Sequence, residues 1–95
     1  MTLDDLLTAA RAAGPWTRTR RGLLRNVNGE CPICAAANAA ARARVYENWQ
    51  VFRAADALGL DRTLAAEVAA SADGEHGARV DVREAVLGLA KGERQ

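Results

Sequence analysis

Residues 31–60, CPICAAANAAARARVYENWQVFRAADALGL, form the stretch that decides the fold. A proline at the first helical position loses no hydrogen bond and presets φ, so a helix is predicted to begin at Pro32. Apolar residues then recur every three or four positions, which places them on one buried helix face: Ile33, Ala37, Ala41, Val45, Trp49 and Phe52. The pattern allows one helix to Leu58 or two helices with a break within 38–44, and Gly59 is expected as a left-handed cap.

The segments on either side of this stretch carry further helix signals. Thr2 is a good N-cap, and the apolar spacing after it predicts a first helix that ends at Gly14-Pro15. Asp61 is expected to cap a shorter helix. The spacing Asp81-x-x-Glu84 resembles a capping box and predicts a last helix, which Gly92 ends.

The least helical part of the chain is residues 16–31. Within it lies Asn28-Gly29, the strongest short hairpin signal, because both residues tolerate a positive φ. The sequence therefore predicts a small two-stranded hairpin over about residues 22–32, with residues 22–25 paired to 30–32.

Length and composition indicate one small domain with a thin core. The chain has 95 residues, and 22 alanines contribute to its 49% hydrophobic fraction. Abundant alanine and few aromatic residues suit closely packed helices, and a homodimer would add burial. We therefore expect residues 1–95 to form a single, mainly α domain of four or five helices with one short β-hairpin.

Positive charge is concentrated in the first half of the chain. Residues 11–44 hold seven arginines against a single acid, Glu30, although the net charge is only +1. Such a cluster suits phosphates or an acidic protein surface, and it permits nucleic acid as a partner. A solvated edge strand guarded by charge is the alternative. The predicted partner-binding residues lie on and beside the hairpin: Trp16, Arg18, Arg20, Arg21 and Arg25.

The motif Cys31-Pro32-Ile33-Cys34 leaves several chemistries open. A cysteine at a helix N-terminus has a lowered thiol pKa, which suits redox chemistry. A zinc site needs about four ligands, and the chain offers this pair and His76. Asp73 or Glu75 could complete such a site, although structural sites with carboxylates are uncommon, and a dimer could share four cysteines. Covalent catalysis would need His76 as the base. The favoured interpretation is structural, with both cysteines packing as small hydrophobic residues, no metal and no cofactor.

A second motif has the spacing of a helix-turn-helix. It comprises Ala54, Ala55, Leu58, Gly59, Leu60, Ala65 and Val68. The helix that would enter the groove offers Arg62, Thr63 and Glu67, which is poor base-reading chemistry. Sequence-specific DNA binding is therefore an alternative hypothesis, and a tight helical corner is the preferred one.

Signals for secretion or membrane insertion are missing from the sequence. The N-terminus carries Asp4 and Asp5, and no window approaches ~18 apolar residues. The only two cysteines are two residues apart, unlike a secreted disulfide framework. We expect a cytoplasmic protein that does not bind membranes.

Three short segments carry a resemblance to a known group of proteins. Arg25–Ile33 fits the motif Arg-x-x-x-Gly-x-Cys-Pro-Ile, and the segments Leu58-Gly59-Leu60 and Val82–Leu87 match further pieces. Together they cover about a quarter of the chain, and they resemble small uncharacterised proteins of tailed phages and prophages from high-GC bacteria. Cys34 lies outside the shared motif. The resemblance implies a phage-encoded accessory protein in the host cytoplasm and implies no reaction.

The hypothesis that follows is a small interaction protein that is not an enzyme. It would bind a host protein or nucleoprotein complex stoichiometrically, through the arginine-rich hairpin. An inhibitor of a host defence complex, such as an anti-CRISPR protein, is a specific form of this hypothesis. The alternatives are a helix-turn-helix DNA-binding protein and a zinc- or thiol-dependent protein that uses Cys31 and Cys34.

Overall fold

The computed structural model describes residues 1–91. In that part of the chain, five α-helices and one two-stranded antiparallel sheet form the fold, as the sequence predicts. The helices are α1 (Leu3–Ala12), α2 (Pro32–Ala41), α3 (Val51–Leu58), α4 (Arg62–Ala72) and α5 (Val80–Leu87), and the strands are β1 (Thr17–Arg18) and β2 (Leu24–Arg25). Short 3-10 turns precede α3 and follow α5. No helix within residues 1–91 has both the length and the apolarity needed to cross a bilayer.

Helix α1 begins where the sequence predicts, because Thr2 caps it. The Thr2 hydroxyl accepts a hydrogen bond from Asp5 N at 3.1 Å, and the Asp5 carboxylate accepts one from Thr2 N at 3.0 Å. This reciprocal pair satisfies two backbone donors that the first turn would otherwise leave open. The inward face of the helix then buries Leu6 and Leu7.

Helix α2 is the centre of the fold. Every residue from Pro32 to Asn38 is buried, and the helix contacts α1, α3 and α4. Its alanines let the neighbouring helices approach closely, while Ile33 fills the space between them and is fully buried. The core is therefore organised around a helix whose side chains are mostly small.

The region that the sequence left undecided contains two helices. Helix α2 ends at Arg42, which has φ +55°, and residues 43–47 follow without regular structure. The expectation that Val45, Trp49 and Phe52 share one buried face with the start of α2 is wrong. These three side chains are 54%, 79% and 47% exposed.

The hairpin lies earlier in the chain than predicted. Thr17 pairs with Arg25 and Arg18 with Leu24, so the predicted pairing of 22–25 with 30–32 is wrong. The chain does turn at Asn28-Gly29, where Gly29 N donates to Asn26 O at 3.0 Å. This turn leads directly into α2, because Cys31 already caps the helix that Pro32 begins.

The second half of the chain largely follows the sequence prediction. Gly59 ends α3 with φ +69°, a conformation that costs glycine little, and the Asp61 carboxylate accepts from Leu64 N at 3.0 Å to cap α4. The opening of α5 differs, because Arg79 is its cap residue and Asp81 lies inside the first turn. The expected stop at Gly92 lies outside the described residues.

Candidate binding surfaces and the cysteine pair

The tip of the hairpin is a turn that its own hydrogen bonds fix. Gly22 N donates to Thr19 O at 2.9 Å, and Thr19 N donates to Leu23 O at 2.8 Å. The Thr19 hydroxyl also accepts from Leu23 N at 3.1 Å. Gly22 has φ +83°, which a residue with a Cβ would adopt only with strain. The tip therefore has a defined backbone path.

Three arginines project from this tip. Arg20 and Arg21 occupy the centre of the turn, and the Arg18 guanidinium lies over it, with Nη2 3.6 Å from where a Cβ on Gly22 would be. All three residues are exposed. Considering residues 1–91, no acidic side chain forms an ion pair with any of them. The hairpin tip therefore presents concentrated positive charge to a partner.

The other two predicted binding residues belong to the framework of the protein. Trp16 is only 6% exposed, and its indole Nε1 donates to Ala10 O at 2.6 Å. The Arg25 guanidinium donates to Asp73 Oδ1 at 2.9 Å and is 14% exposed. Trp16 therefore joins the hairpin to α1, and Arg25 joins it to the loop after α4.

An aromatic surface was not predicted from the sequence. It lies where the connection between α2 and α3 meets α3. Trp49, at 79% exposed, and Phe52 border a shallow groove of about 250 Å³ together with Gln50, Val51 and Arg53. The Arg62 guanidinium lies 5.4 Å from the centre of the Phe52 ring. We call Trp49, Phe52 and Arg53 the aromatic surface. A tryptophan offers about 150–250 Å² of contact area, so Trp49 alone is a large apolar feature of so small a protein.

The turn that carries Trp49 is held by its neighbours. The Asn48 side chain accepts from Cys31 N at 2.9 Å and donates to Gly29 O at 3.0 Å. Glu47 and Gln50 cap each other across the turn, with Glu47 N donating to Gln50 Oε1 at 2.9 Å. Trp49 is therefore exposed on a turn whose position is fixed by hydrogen bonds. The bonds of Asn48 place this turn beside the N-terminal end of α2.

A buried polar network connects this segment to the rest of the fold. Glu30 is 5% exposed, and its two carboxylate oxygens accept from Asn26 Nδ2 at 3.0 Å and from Asn38 Nδ2 at 2.5 Å. The Asn38 amide also donates to Tyr46 O, and its oxygen accepts from the backbone N–H groups of Val45 and Tyr46. Asn38 therefore ties the connection between α2 and α3 to the buried carboxylate.

An open cleft of about 330 Å³ lies over this network. Its polar wall is Glu30 with Asn26 and Asn38, and Arg44 stands at the rim with Nε 4.0 Å from Glu30 Oε2. Among the described residues, every buried side-chain nitrogen and oxygen already has a hydrogen-bond partner. The buried polar groups that line the cleft therefore stabilise the fold, and we do not assign the cleft a ligand.

The two cysteines are free, buried and adjacent. Cys31 is the cap residue of α2, and Cys34 lies one turn later, with its thiol donating to Glu47 O at 3.1 Å. The Cys34 thiol also faces the Cys31 sulfur and, with the amides of Cys34 and Ile33, lowers the pKa of Cys31 to about 7 against the opposing effect of burial. The same neighbour and burial raise the pKa of Cys34.

The alternative metal set of Cys31, Cys34 and His76 is not brought together. His76 is exposed in the loop between α4 and α5, whereas both cysteines are buried at the start of α2. In the described part of the chain, no three His, Cys, Asp or Glu side chains are arranged to hold a metal ion. His76 is equally not placed as a base for either thiol.

The predicted helical corner between α3 and α4 forms. Ala55, Ala65 and Val68 are fully buried on its inner side, and Leu60 is 4% exposed. Two of its charged side chains are engaged within the protein: Arg62 donates two hydrogen bonds to Asp56, at 3.0 and 2.6 Å, and Glu67 pairs with Arg79. The corner therefore has the shape of a helix-turn-helix, but of the three candidate base-reading side chains on its second helix only Thr63 is exposed without a side-chain hydrogen bond among residues 1–91.

Comparisons of the chain with protein-family models, curated proteins and solved structures find no match. The surfaces of the protein therefore carry the information about its function. A weak signal for the aromatic surface is present in the sequence, because Trp49 and Phe52 stand among polar residues: Arg44, Glu47, Asn48, Gln50 and Arg53.

Proposed function

We propose that this protein is a non-catalytic binding protein that docks on an acidic protein surface through its aromatic surface, with the hairpin tip as a second contact. The observation that carries the proposal is Trp49, 79% exposed on a turn that four hydrogen bonds position. Tryptophan is enriched among the few residues that dominate binding energies. An exposed tryptophan held on a defined turn is suited to that role.

The charge around the two surfaces favours an acidic partner. Arg53 borders the groove beside Trp49, and Arg18, Arg20 and Arg21 extend from the hairpin tip. Complementary charge mainly accelerates encounter, whereas a buried aromatic anchor slows dissociation. The two surfaces therefore have separable expected effects on binding kinetics.

The resemblance to phage proteins suggests a specific form of this proposal. The partner would be a host protein or nucleoprotein complex, and an anti-defence inhibitor, such as an anti-CRISPR protein, would act by occupying its surface. In a host that carries an active defence complex, expression of the chain is expected to restore phage plating. The Trp49→Ala variant is expected to lose this effect.

The direct test is capture and kinetics with the full chain. The wild-type chain is immobilised and exposed to a lysate of a high-GC bacterium. We expect it to retain a partner in near-equimolar amount. With that partner purified, Trp49→Ala is expected to weaken binding about 100-fold, mostly through faster dissociation. Arg20→Glu with Arg21→Glu is expected to slow association and reduce its salt dependence.

A matched control separates the hairpin tip from general charge. Arg11→Glu with Lys91→Glu changes the net charge by the same amount at two exposed positions elsewhere. This double variant is expected to associate close to the wild-type rate. Unchanged binding by folded Trp49→Ala would contradict the proposal. Salt-sensitive binding of duplex DNA that Arg62→Ala abolishes would instead support the DNA-binding alternative.

A further inference from the structure

The cysteine pair has a geometry that a structural role does not require. Cys31 is the cap residue of a ten-residue helix, and its carbonyl already accepts the first helical hydrogen bond, from Ala35 N at 2.9 Å. From helical rise and radius, Cα atoms three residues apart lie about 5 Å from each other, within the range of roughly 4.4–6.8 Å that a disulfide spans. The Cα spacing is therefore compatible with a disulfide between Cys31 and Cys34.

The surroundings of the two thiols differ in a way that assigns them different roles. Cys31 retains 3% exposure, whereas Cys34 is fully buried behind it and bonded to Glu47 O. The hydrogen bond between the two thiols lowers the pKa of Cys31 and raises that of Cys34; Glu30 also raises the pKa of Cys34, whereas Arg25 favours the thiolate at both. Cys31 is thus the attacking sulfur, and Cys34 is the sulfur that completes the bond.

We propose that Cys31 and Cys34 form a reversible dithiol–disulfide site that small hydroperoxides oxidise. The Cys31 thiolate attacks one peroxide oxygen and breaks the O–O bond, which gives a sulfenic acid and, after protonation, one water or alcohol. The Cys34 thiol then attacks the Cys31 sulfur, and the sulfenic hydroxyl leaves with a proton as water. Two thiols lose two electrons in total, and the hydroperoxide gains them.

The residual exposure of Cys31 determines the class of oxidant. Cys31 is only 3% exposed, so a small oxidant such as hydrogen peroxide is expected to reach its sulfur more readily than a bulky one. A bulky disulfide such as oxidised glutathione needs an in-line approach to the sulfur, which the buried position hinders. Hydrogen peroxide is therefore expected to oxidise the native chain much faster than oxidised glutathione does.

The test treats the full native chain with hydrogen peroxide and follows its intact mass and free thiols. The wild type is expected to lose about 2 Da and both thiols, and a dithiol reductant is expected to restore both. Cys34→Ser is expected to stop at a sulfenic acid on Cys31 that dimedone traps. Cys31→Ser is expected to resist the same treatment. Equal reaction of the two single variants, or over-oxidation of the wild type without a disulfide, would overturn the proposal.

A second measurement uses only the wild-type chain, so its result does not depend on whether the cysteine variants fold. The wild-type chain is alkylated with limiting iodoacetamide across a pH series, and the first modified cysteine is identified by peptide mapping. We expect modification at Cys31, with a rate that rises with pH to a midpoint near 7, because its pKa is lowered to about 7. An ordinary thiol has a pKa of about 8.5. Modification first at Cys34, or a midpoint at the ordinary thiol value, would overturn the proposal.

Discussion

Replacement of Asn38 by alanine is expected to lower the free energy of unfolding by about 4 kcal/mol, since a buried polar group left without its partner costs about 1–3 kcal/mol and a charged one costs more. The substitution removes the donor to Glu30 Oε2 and the donor to Tyr46 O. It also removes the acceptor for the N–H groups of Val45 and Tyr46. The largest part of the loss is expected at Glu30, because its buried carboxylate loses one of its two side-chain amide donors.

Urea unfolding followed by circular dichroism measures this loss, and Asn28→Ala provides the control. The Asn28 residue is exposed and contributes only its backbone to the hydrogen bonds around it. Its replacement is expected to change the unfolding free energy by less than about 0.5 kcal/mol, as surface substitutions usually do. If Asn38→Ala cost no more than this control, the network would not be holding the connection between α2 and α3.

The second large effect is expected at Trp16, where alanine should cost about 3–5 kcal/mol, the range for removal of a buried aromatic side chain. Trp16 is 6% exposed and packs between the hairpin and α1, where its indole donates to Ala10 O. Phenylalanine keeps most of the volume but leaves that carbonyl without the donor. Trp16→Phe is therefore expected to cost about 1–2 kcal/mol.

The pair of Trp16 variants also decides whether this residue contacts a partner, as the sequence suggested. A folded Trp16→Phe chain is expected to bind the partner as the wild type does, in contrast to Trp49→Ala. Thermal unfolding and binding kinetics on the same preparations make the comparison. A Trp16→Phe chain that is as stable as the wild type but binds poorly would indicate that Trp16 contacts the partner.

Local signals in the sequence were sufficient for most of the helices. Thr2, Pro32 and Asp61 each act within one helical turn, and each begins a helix at the predicted place. Gly59 likewise ends α3 as predicted, because its left-handed conformation depends on the residue itself. Such signals are readable because the interaction partner lies within a few residues.

The end of α2 could not be predicted because its causes lie beyond a single helical turn, seven or eight residues apart. Arg42 takes the left-handed conformation where glycine is usual. The Asn38 side chain then accepts hydrogen bonds from the backbone N–H groups of Val45 and Tyr46. An asparagine among alanines gives no sign of this in the sequence. The period of apolar residues continues past the break by coincidence, and it wrongly placed Trp49 in the core.

Only part of the proposed binding surface could be predicted from the sequence. The arginines of the hairpin tip were evident from composition, and the structure leaves Arg18, Arg20 and Arg21 exposed. Arg25 and Trp16 looked equivalent to them in the sequence. Their burial follows from contacts with Asp73 and Ala10, which no local pattern indicates.

The absence of helix or strand over residues 43–47 has a consequence for the dynamics of the aromatic surface. The side chains of Asn38 and Cys34 anchor residues 45–47, Asn48 ties the turn that follows to Cys31 and Gly29, and no continuous ladder holds the segment. Segments fixed by a few polar contacts detach in local openings that leave the remaining fold intact. Amide hydrogen exchange at Val45 and Tyr46 should therefore outpace exchange in the middle of α2. The affinity of the protein would then depend on how often this one short segment is closed.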